Sequence, residues 1–168
     1  MSKEQYVKVL DFFRKPGWRS FVMFFMCRFT TALVANVYII LCVLALLANP
    51  VLLIRYVGVP LVVFVVVTIV RSIINRERPY EKLGFSPINY MNKLKHGKSF
   101  PSRHSASAAV IAVACMSLVP WLGWIMVVLA IIVAASRVLS GMHYISDVVV
   151  GLAFGAIVGI IGFYLPIF

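Results

Sequence analysis

Long apolar stretches dominate this chain, and only one long polar segment interrupts them. The stretches have the approximate bounds 29–48, 53–74, 102–119, 121–139 and 146–166. Each is close to the length of about 20 residues that a helix needs to cross the hydrocarbon core of a bilayer. The second stretch is rich in valine, but a lone strand in lipid cannot satisfy its backbone polar groups, so we read it as a helix. The sequence therefore predicts an all-α integral membrane bundle of about five transmembrane helices.

The amino-acid composition excludes a water-soluble fold. Hydrophobic residues make up 62% of the 168 residues and charged residues only 12%, whereas soluble domains are about half apolar and about a quarter charged. Too few polar side chains remain to cover the surface of a soluble protein. The three cysteines lie in apolar stretches without a CxxC pattern, so we read them as core residues. We expect one membrane domain across residues 1–168.

The first 19 residues differ from the rest because they are charged and amphipathic. Apolar and charged side chains follow a helical spacing over residues 4–14, and Pro16-Gly17 then breaks the pattern. We predict an interfacial segment over residues 1–19 that contains an amphipathic helix, and its charges argue against a cleavable signal peptide. The apolar residues before Arg28 are expected to be an interfacial lead-in to the first span. Arg28 and Arg55 are interpreted as topology anchors.

The formal charge of +11 arises from 16 Lys and Arg against 5 Asp and Glu. Part of this excess is typical of the cytoplasmic flanks of a cell-membrane protein. Nucleic-acid binding is not expected, because the cations form no soluble basic module with aromatic platforms. The cations of the amino-terminal segment favour a cytoplasmic amino terminus.

Titratable residues lie at the helix ends that share one membrane face. With five spans, the polar loop 75–101 and the loop around 137–146 open on the same face as the amino terminus, which favours a cytoplasm-facing site. The helix ends beside these loops carry Arg71, Arg76, Arg78, Arg103, His104, Arg137, His143 and Asp147. Ionisable residues at membrane depth are costly and usually mark a site. We therefore expect one functional site on this face.

The chemistry of these residues is that of phosphoryl transfer. His143 and Asp147 are four residues apart at the start of a helix, so the carboxylate can accept the Nδ1–H and leave Nε2 as a nucleophile or base. Arginine forks bind pairs of phosphate oxygens, and Ser102 with the backbone N–H groups after it adds donors. A metal held by two histidines and the aspartate is the alternative. Neighbouring arginines would repel such a cation, so we expect no metal and no cofactor.

Three motifs resemble those of the type 2 phosphatidic acid phosphatase family, which shares its core with vanadium haloperoxidases. The family motifs are Lys, six residues, Arg-Pro; then Pro-Ser-Gly-His; then Ser-Arg, five residues, His, three residues, Asp. The corresponding segments here are Arg71 to Pro79, Pro101-Ser102-Arg103-His104 and Ser136 to Asp147. Arg71 replaces the lysine, and Arg103 replaces the glycine.

The resemblance implies a role for each matched residue. His143 would attack phosphorus and form a phosphohistidine, Asp147 would orient it, and His104 would protonate the leaving oxygen. The phosphoryl oxygens would be held by Arg71, Arg78, Ser102, Arg137 and the backbone N–H of Arg103, whose side chain could help bind a second phosphate.

We therefore predict a metal-independent membrane lipid phosphatase, whose substrate is a lipid phosphomonoester or polyprenyl diphosphate that enters from the bilayer. The alternatives are a lipid phosphotransferase and a non-catalytic phospholipid-binding protein, although anion binding alone needs no nucleophile. The loop from Glu81 to Lys98 is our candidate for reading the headgroup, through Tyr90, Lys93 and Lys95. Arg76 is either a loop charge or a headgroup contact, and His96 is an ordinary loop residue.

Overall fold

The computed structural model describes residues 1–90, 94 and 96–165, and its regular structure there is helical. The helices are α1 (Lys3–Arg14), α2 (Trp18–Phe24), α3 (Thr30–Ala48), α4 (Pro50–Ile74), α5 (Pro79–Leu83), α6 (Arg103–Leu118), α7 (Pro120–Leu139) and α8 (Ile145–Tyr164). A π-helical turn, Phe25–Phe29, joins α2 to α3. The predicted all-α membrane bundle with an amino-terminal amphipathic helix is confirmed.

Four helical stretches in the described part of the chain are long and apolar enough to cross a membrane. They are Trp18–Ala48, Pro50–Leu83, Pro120–Leu139 and Ile145–Tyr164. The third predicted span, 102–119, corresponds to α6, which has only 16 residues, most of them buried. It lies in the centre of the bundle and packs chiefly on α7 and α8, with further contacts to α3 and α4.

Local sequence explains where the helices begin and end. Asn49 accepts a hydrogen bond from the N–H of Val51 and Pro50 follows it as the first residue of α4, so two capping preferences coincide. Asn75 ends α4 in the left-handed conformation. A single residue, Val119, separates α6 from α7, so these helices form the tight hairpin that Pro120 predicts.

The segment before Arg28, which we expect to be an interfacial lead-in, is helical. It continues into the first span as one helical stretch, interrupted only by the π-helical turn. The hydroxyl groups of Thr30 and Thr31 donate to the carbonyls of Phe25 and Cys27, so side chains bond to the backbone where the helix changes its period.

Small residues let α8 lie directly against α6, as the sequence predicts. A Cβ added at Gly155 would lie 2.2 Å from the carbonyl oxygen of Ala106, and one at Gly151 would lie 2.7 Å from the carbonyl oxygen of Ser102. The starts of both helices and the ends of α4 and α7 consequently meet at one end of the bundle.

Candidate active site

The centre of this end of the bundle is Asp147, which is completely buried in the first turn of α8. Its carboxylate accepts hydrogen bonds from Ser99 Oγ at 2.5 Å, Arg76 Nη1 at 2.8 Å and the backbone N–H of Tyr144 at 3.0 Å. The Nδ1 atom of His143 lies 3.4 Å from Asp147 Oδ2. The carboxylate of Asp147 thus lies beside the imidazole of His143, and three other groups hold the carboxylate in place.

His143 is buried, and hydrogen bonds hold its backbone on both sides. Its N–H donates to the carbonyl of Arg137 at 3.1 Å, and its own carbonyl accepts from the hydroxyl of Tyr6 at 3.3 Å. Burial lowers the pKa of His143 to about 4; the positive charges of Arg78 and Arg71 act in the same direction, and Asp147 opposes them. The imidazole is therefore neutral near pH 7, as a nucleophile requires.

Tyr6, on the amino-terminal helix α1, contacts the loop between α7 and α8 that contains His143. Its side chain is fully buried and its ring stacks on Phe85 with a centroid distance of 5.3 Å. Burial raises the pKa of the Tyr6 hydroxyl to about 12, so the group stays protonated and donates. A second contact from α1, between the Arg14 guanidinium and the carbonyl of Ser86, ties the helix to the polar loop.

Three arginines from the motifs are held by oxygen atoms of the protein. Arg71 donates to the carbonyl of Pro101 at 2.8 Å. Arg78 donates to the carbonyls of Gly97 and Met142, at 3.0 and 3.1 Å. Arg137 donates to Thr31 Oγ1 at 2.7 Å and to the carbonyl of Cys27 at 3.2 Å. All three arginines also line the cavity described next.

One cavity of about 370 Å³ collects most of the predicted site residues. Those that line it are Arg71, Arg78, Arg103, His104, Arg137 and His143. Asp147 lies behind His143 and does not line the cavity. The π-helical turn contributes Arg28, and the start of α3 contributes Thr31, Ala32 and Ala35. The cavity is thus lined both by cationic side chains and by small residues of α3.

Ser102 has a different position from the one that a phosphate ligand suggests. It is fully buried, caps α6, and its Oγ accepts a hydrogen bond from Ser105 Oγ at 3.0 Å. Its backbone N–H donates to the carbonyl of Asp147 at 2.9 Å. Ser102 therefore joins the starts of α6 and α8, and it does not line the cavity.

Several residues of this site were missed or left open by sequence reasoning. Arg76 bonds to Asp147, and its guanidinium lies 4.1 Å from the centre of the Tyr144 ring, so it is a paired cation and not a free loop charge. Ser99 also donates to Asp147 and belongs to none of the three motifs. Arg28, interpreted as a topology anchor, lines the cavity.

The candidate headgroup loop reaches the cavity in part. Tyr90 lines it, together with Ile88 and Asn89, whereas Lys93 and Lys95 lie outside the described residues. His96 is largely exposed and its Nδ1 lies 2.9 Å from Glu81 Oε1, away from the cavity, as expected for an ordinary loop residue. Within residues 1–90, 94 and 96–165, no three His, Cys, Asp or Glu side chains converge in a way that could hold a metal ion.

Comparison with known proteins gives a family match across the helices that carry the three motifs. The sequence model of the PAP2 superfamily matches residues 51–167, which include α4 to α8. A lipid A 1-phosphatase of Rhizobium johnstonii is 34% identical in an alignment of 93 residues, and the alignment covers 52% of this chain and 37% of that protein. The chain thus aligns with little more than a third of the length of this relative.

Two solved structures share the fold along nearly the whole chain. LpxE from Aquifex aeolicus has a TM-score of 0.72 at 22% identity, covering 96% of this chain and 93% of that one. The transmembrane PAP2-type phosphatidylglycerolphosphate phosphatase from Bacillus subtilis has a TM-score of 0.66 at 22% identity, covering 95% of this chain and 81% of that one. At this identity the likeness establishes the architecture of the bundle.

Proposed function

The chain belongs to the PAP2 superfamily, and from that premise we propose that it is a membrane lipid phosphatase that hydrolyses a lipid phosphomonoester or a polyprenyl diphosphate. The observation that carries the proposal is the juxtaposition of a neutral His143, backed by Asp147, with several arginines around one cavity. Mere anion binding would need the arginines but not a buried imidazole with a carboxylate behind it.

In the first chemical step, Nε2 of His143 attacks the phosphorus atom of the substrate. A P–N bond forms, the P–O bond to the leaving group breaks, and His104 donates a proton to the leaving oxygen. Asp147 accepts the Nδ1–H and stabilises the positive charge that develops on the ring. In the second step, water attacks the phosphohistidine, His104 takes the proton, and phosphate leaves while His143 is regenerated.

The arginines supply the electrostatic stabilisation. Charge on the equatorial phosphoryl oxygens increases as the nucleophile approaches, and fixed guanidinium donors stabilise that charge without reorganising. Hydrogen bonds to carbonyl oxygens hold Arg71 and Arg78 in position before the substrate arrives. These cations provide the positive charge that a divalent metal provides in other phosphatases, so we propose a metal-independent reaction.

Substrate access follows from the position of the cavity at the end of the bundle. One wall of the cavity contains Thr31, Ala32 and Ala35, which follow Arg28 along the apolar helix α3. A lipid can keep its tails in the bilayer along this wall while its phosphate reaches His143. Because tail binding would hold the phosphate in place, we expect much higher kcat/KM for long-chain lipid phosphates than for soluble phosphate esters.

Turnover by protein purified in detergent tests the proposal. We expect hydrolysis of long-chain lipid phosphates in EDTA, and losses of several orders of magnitude for His143→Ala and Asp147→Asn. His96→Ala is the matched control, because His96 is exposed and lies outside the cavity, and it should keep full activity. If the protein is denatured without acid during turnover, the wild-type chain should retain a phosphoryl group that acid then releases, and His143→Ala should retain none.

Three results would contradict parts of this proposal. No turnover on any lipid phosphate would leave a non-catalytic phospholipid-binding protein. Transfer of the phosphoryl group to an added alcohol in preference to water would identify a phosphotransferase. Activity that EDTA abolishes and one divalent metal restores would overturn the metal-independent mechanism.

A further inference from the structure

The cavity carries more positive charge than one phosphate group can neutralise. Five arginines line it, namely Arg28, Arg71, Arg78, Arg103 and Arg137. No Asp or Glu is among the described residues of its lining, and the carboxylate of Asp147, behind His143, is engaged by Arg76, Ser99 and His143. A phosphate monoester carries a charge of about −1.5 to −2 at pH 7. A substrate with a single phosphate would leave much of this charge uncompensated.

Two of the five arginines differ from the other three in their surroundings. Arg71, Arg78 and Arg137 donate to oxygen atoms of the protein, whereas Arg28 and Arg103 make no hydrogen bond or ion pair with the described residues. The Arg103 guanidinium lies 5.5 Å from the centre of the Phe64 ring, and its charge acts on Arg71 and Arg78. These two cations therefore have unused hydrogen-bonding capacity at the wall of the cavity.

We propose that Arg28 and Arg103 form a second anion subsite, which binds a second phosphate group of the same lipid while the scissile phosphate meets His143. This inference rests on the proposed function and narrows it to substrates with two phosphates. A volume of about 370 Å³ lies within the range of small-ligand sites, about 300–1,000 Å³, so it can hold two phosphate groups. Arg28 also lies outside residues 51–167, so the family match does not account for it.

The second phosphate could come from two sources. In a lipid diphosphate, His143 attacks the terminal phosphorus, the P–O bond to the bridging oxygen breaks, and the leaving group is a lipid monophosphate held by Arg28 and Arg103. Such a leaving group is already acidic and needs little proton donation from His104. In a lipid whose two phosphates sit on separate hydroxyl groups, the leaving oxygen is an alkoxide and still needs that proton.

The experiment compares three lipids with the same tail, which carry one phosphate, a diphosphate or two separated phosphates. For the wild-type protein we expect kcat/KM to be about tenfold higher on at least one lipid with two phosphates, as one charge-assisted contact would supply. Arg28→Gln should lower kcat/KM on the preferred lipid about tenfold and lower it less on the monophosphate, so that the preference disappears. Arg103→Gln should lower both values, and the value for the preferred lipid more.

Controls separate the subsite from other roles of Arg28. Lys8→Gln removes an exposed cation of α1 outside the cavity and should change neither value. Inhibition of the wild-type protein by inorganic diphosphate should be about tenfold tighter than by phosphate, and this difference should vanish in Arg28→Gln. Arg28→Lys, which keeps the charge, should recover part of the preference and guards against a folding defect in the glutamine variant.

The same measurements can overturn the inference without touching the proposed function. A wild-type protein that hydrolyses the monophosphate as well as both other lipids has no second subsite. Equal losses on all three lipids in Arg28→Gln indicate a structural or membrane-surface role. A smaller loss of activity in His104→Gln on the diphosphate than on the other two lipids assigns the second phosphate to the leaving group, because only the first step then needs little proton donation while the second step uses His104 for every lipid.

Discussion

Replacing the glycines of α8 by alanine should separate α6 and α8, whose starts lie beside the two histidines of the proposed mechanism. Gly151 and Gly155 let α8 contact the backbone of α6, and the start of α6 carries His104 while the start of α8 follows His143. Gly58 in α4 is the matched control, because nothing lies within 4 Å of an added Cβ there. In an open helical position, alanine should be neutral or stabilise by up to about 1 kcal/mol.

The expected magnitudes follow from the contacts of the added methyl group. At Gly155 it would lie 2.2 Å from the Ala106 carbonyl oxygen. Ordinary contact therefore requires the two helices to separate by roughly 1 Å, and overpacking of this kind costs about 1–3 kcal/mol. At Gly151 the contact is 2.7 Å, to the carbonyl of Ser102. A misplacement of about 1 Å between catalytic groups can cost on the order of 100-fold in rate.

Thermal unfolding in detergent and kcat/KM on a lipid phosphate together test this reasoning. Gly155→Ala should lower Tm the most, by about 2–4 °C per kcal/mol for a chain of this size. Gly151→Ala should lower Tm less, but it should lose more activity for each degree by which Tm falls. The added methyl group meets Ser102, whose N–H donates to the backbone of Asp147. If Gly155→Ala had the same Tm and activity as Gly58→Ala, the claim that the contact between α6 and α8 positions the site would be refuted.

Three further outcomes are expected. Tyr6→Phe keeps the ring but removes the 3.3 Å hydrogen bond to the His143 carbonyl, so kcat should fall about fivefold for a bond of roughly 1 kcal/mol, with KM unchanged; an equal change in both constants would contradict a positioning role. The pKa of His143 falls to about 4 on folding from an ordinary value of about 6.5. Between these two pH values the unfolded chain binds more protons than the folded chain, so the stability of the fold should rise with pH across that window. A scan of Tm against pH should show this rise, and His143→Gln should reduce it. Cysteines introduced at Ser2 and Ser86 should be labelled from the same side of the membrane, and labelling from opposite sides would contradict the five-span topology.

Much of the candidate site could be predicted because its residues lie at helix ends. The ends of antiparallel helices alternate between two membrane faces, so the apolar stretches alone place Arg71, Arg137 and His143 on one face. The four-residue spacing of His143 and Asp147 then predicts their pairing. These inferences need only the helical period and the number of spans, and both are readable from the sequence.

The partners of Asp147 could not be predicted in the same way. Arg76 and Ser99 lie in a segment without helical or strand period between α4 and α6, apart from the short helix α5. Their positions depend on the path of this loop, which is set by contacts such as the hydrogen bond from the Ser99 N–H to the Arg76 carbonyl at 2.8 Å. Such contacts leave no periodic signal, so a buried network appeared in the sequence as ordinary loop residues.

The position of Arg28 on the cavity wall could not be predicted for a different reason, which is a change of period inside the first helical stretch. A regular α-helix turns by about 100° per residue, so the direction of each side chain follows from its number. The π-helical turn Phe25–Phe29 places one more residue in a turn and rotates everything before it relative to α3 by about that angle. This same turn carries Cys27, whose carbonyl accepts from Arg137, and Arg28, which lines the cavity. Because no single residue type marks a π-helical turn, a helical projection of the sequence cannot show that Arg28 and Arg137 face the same space.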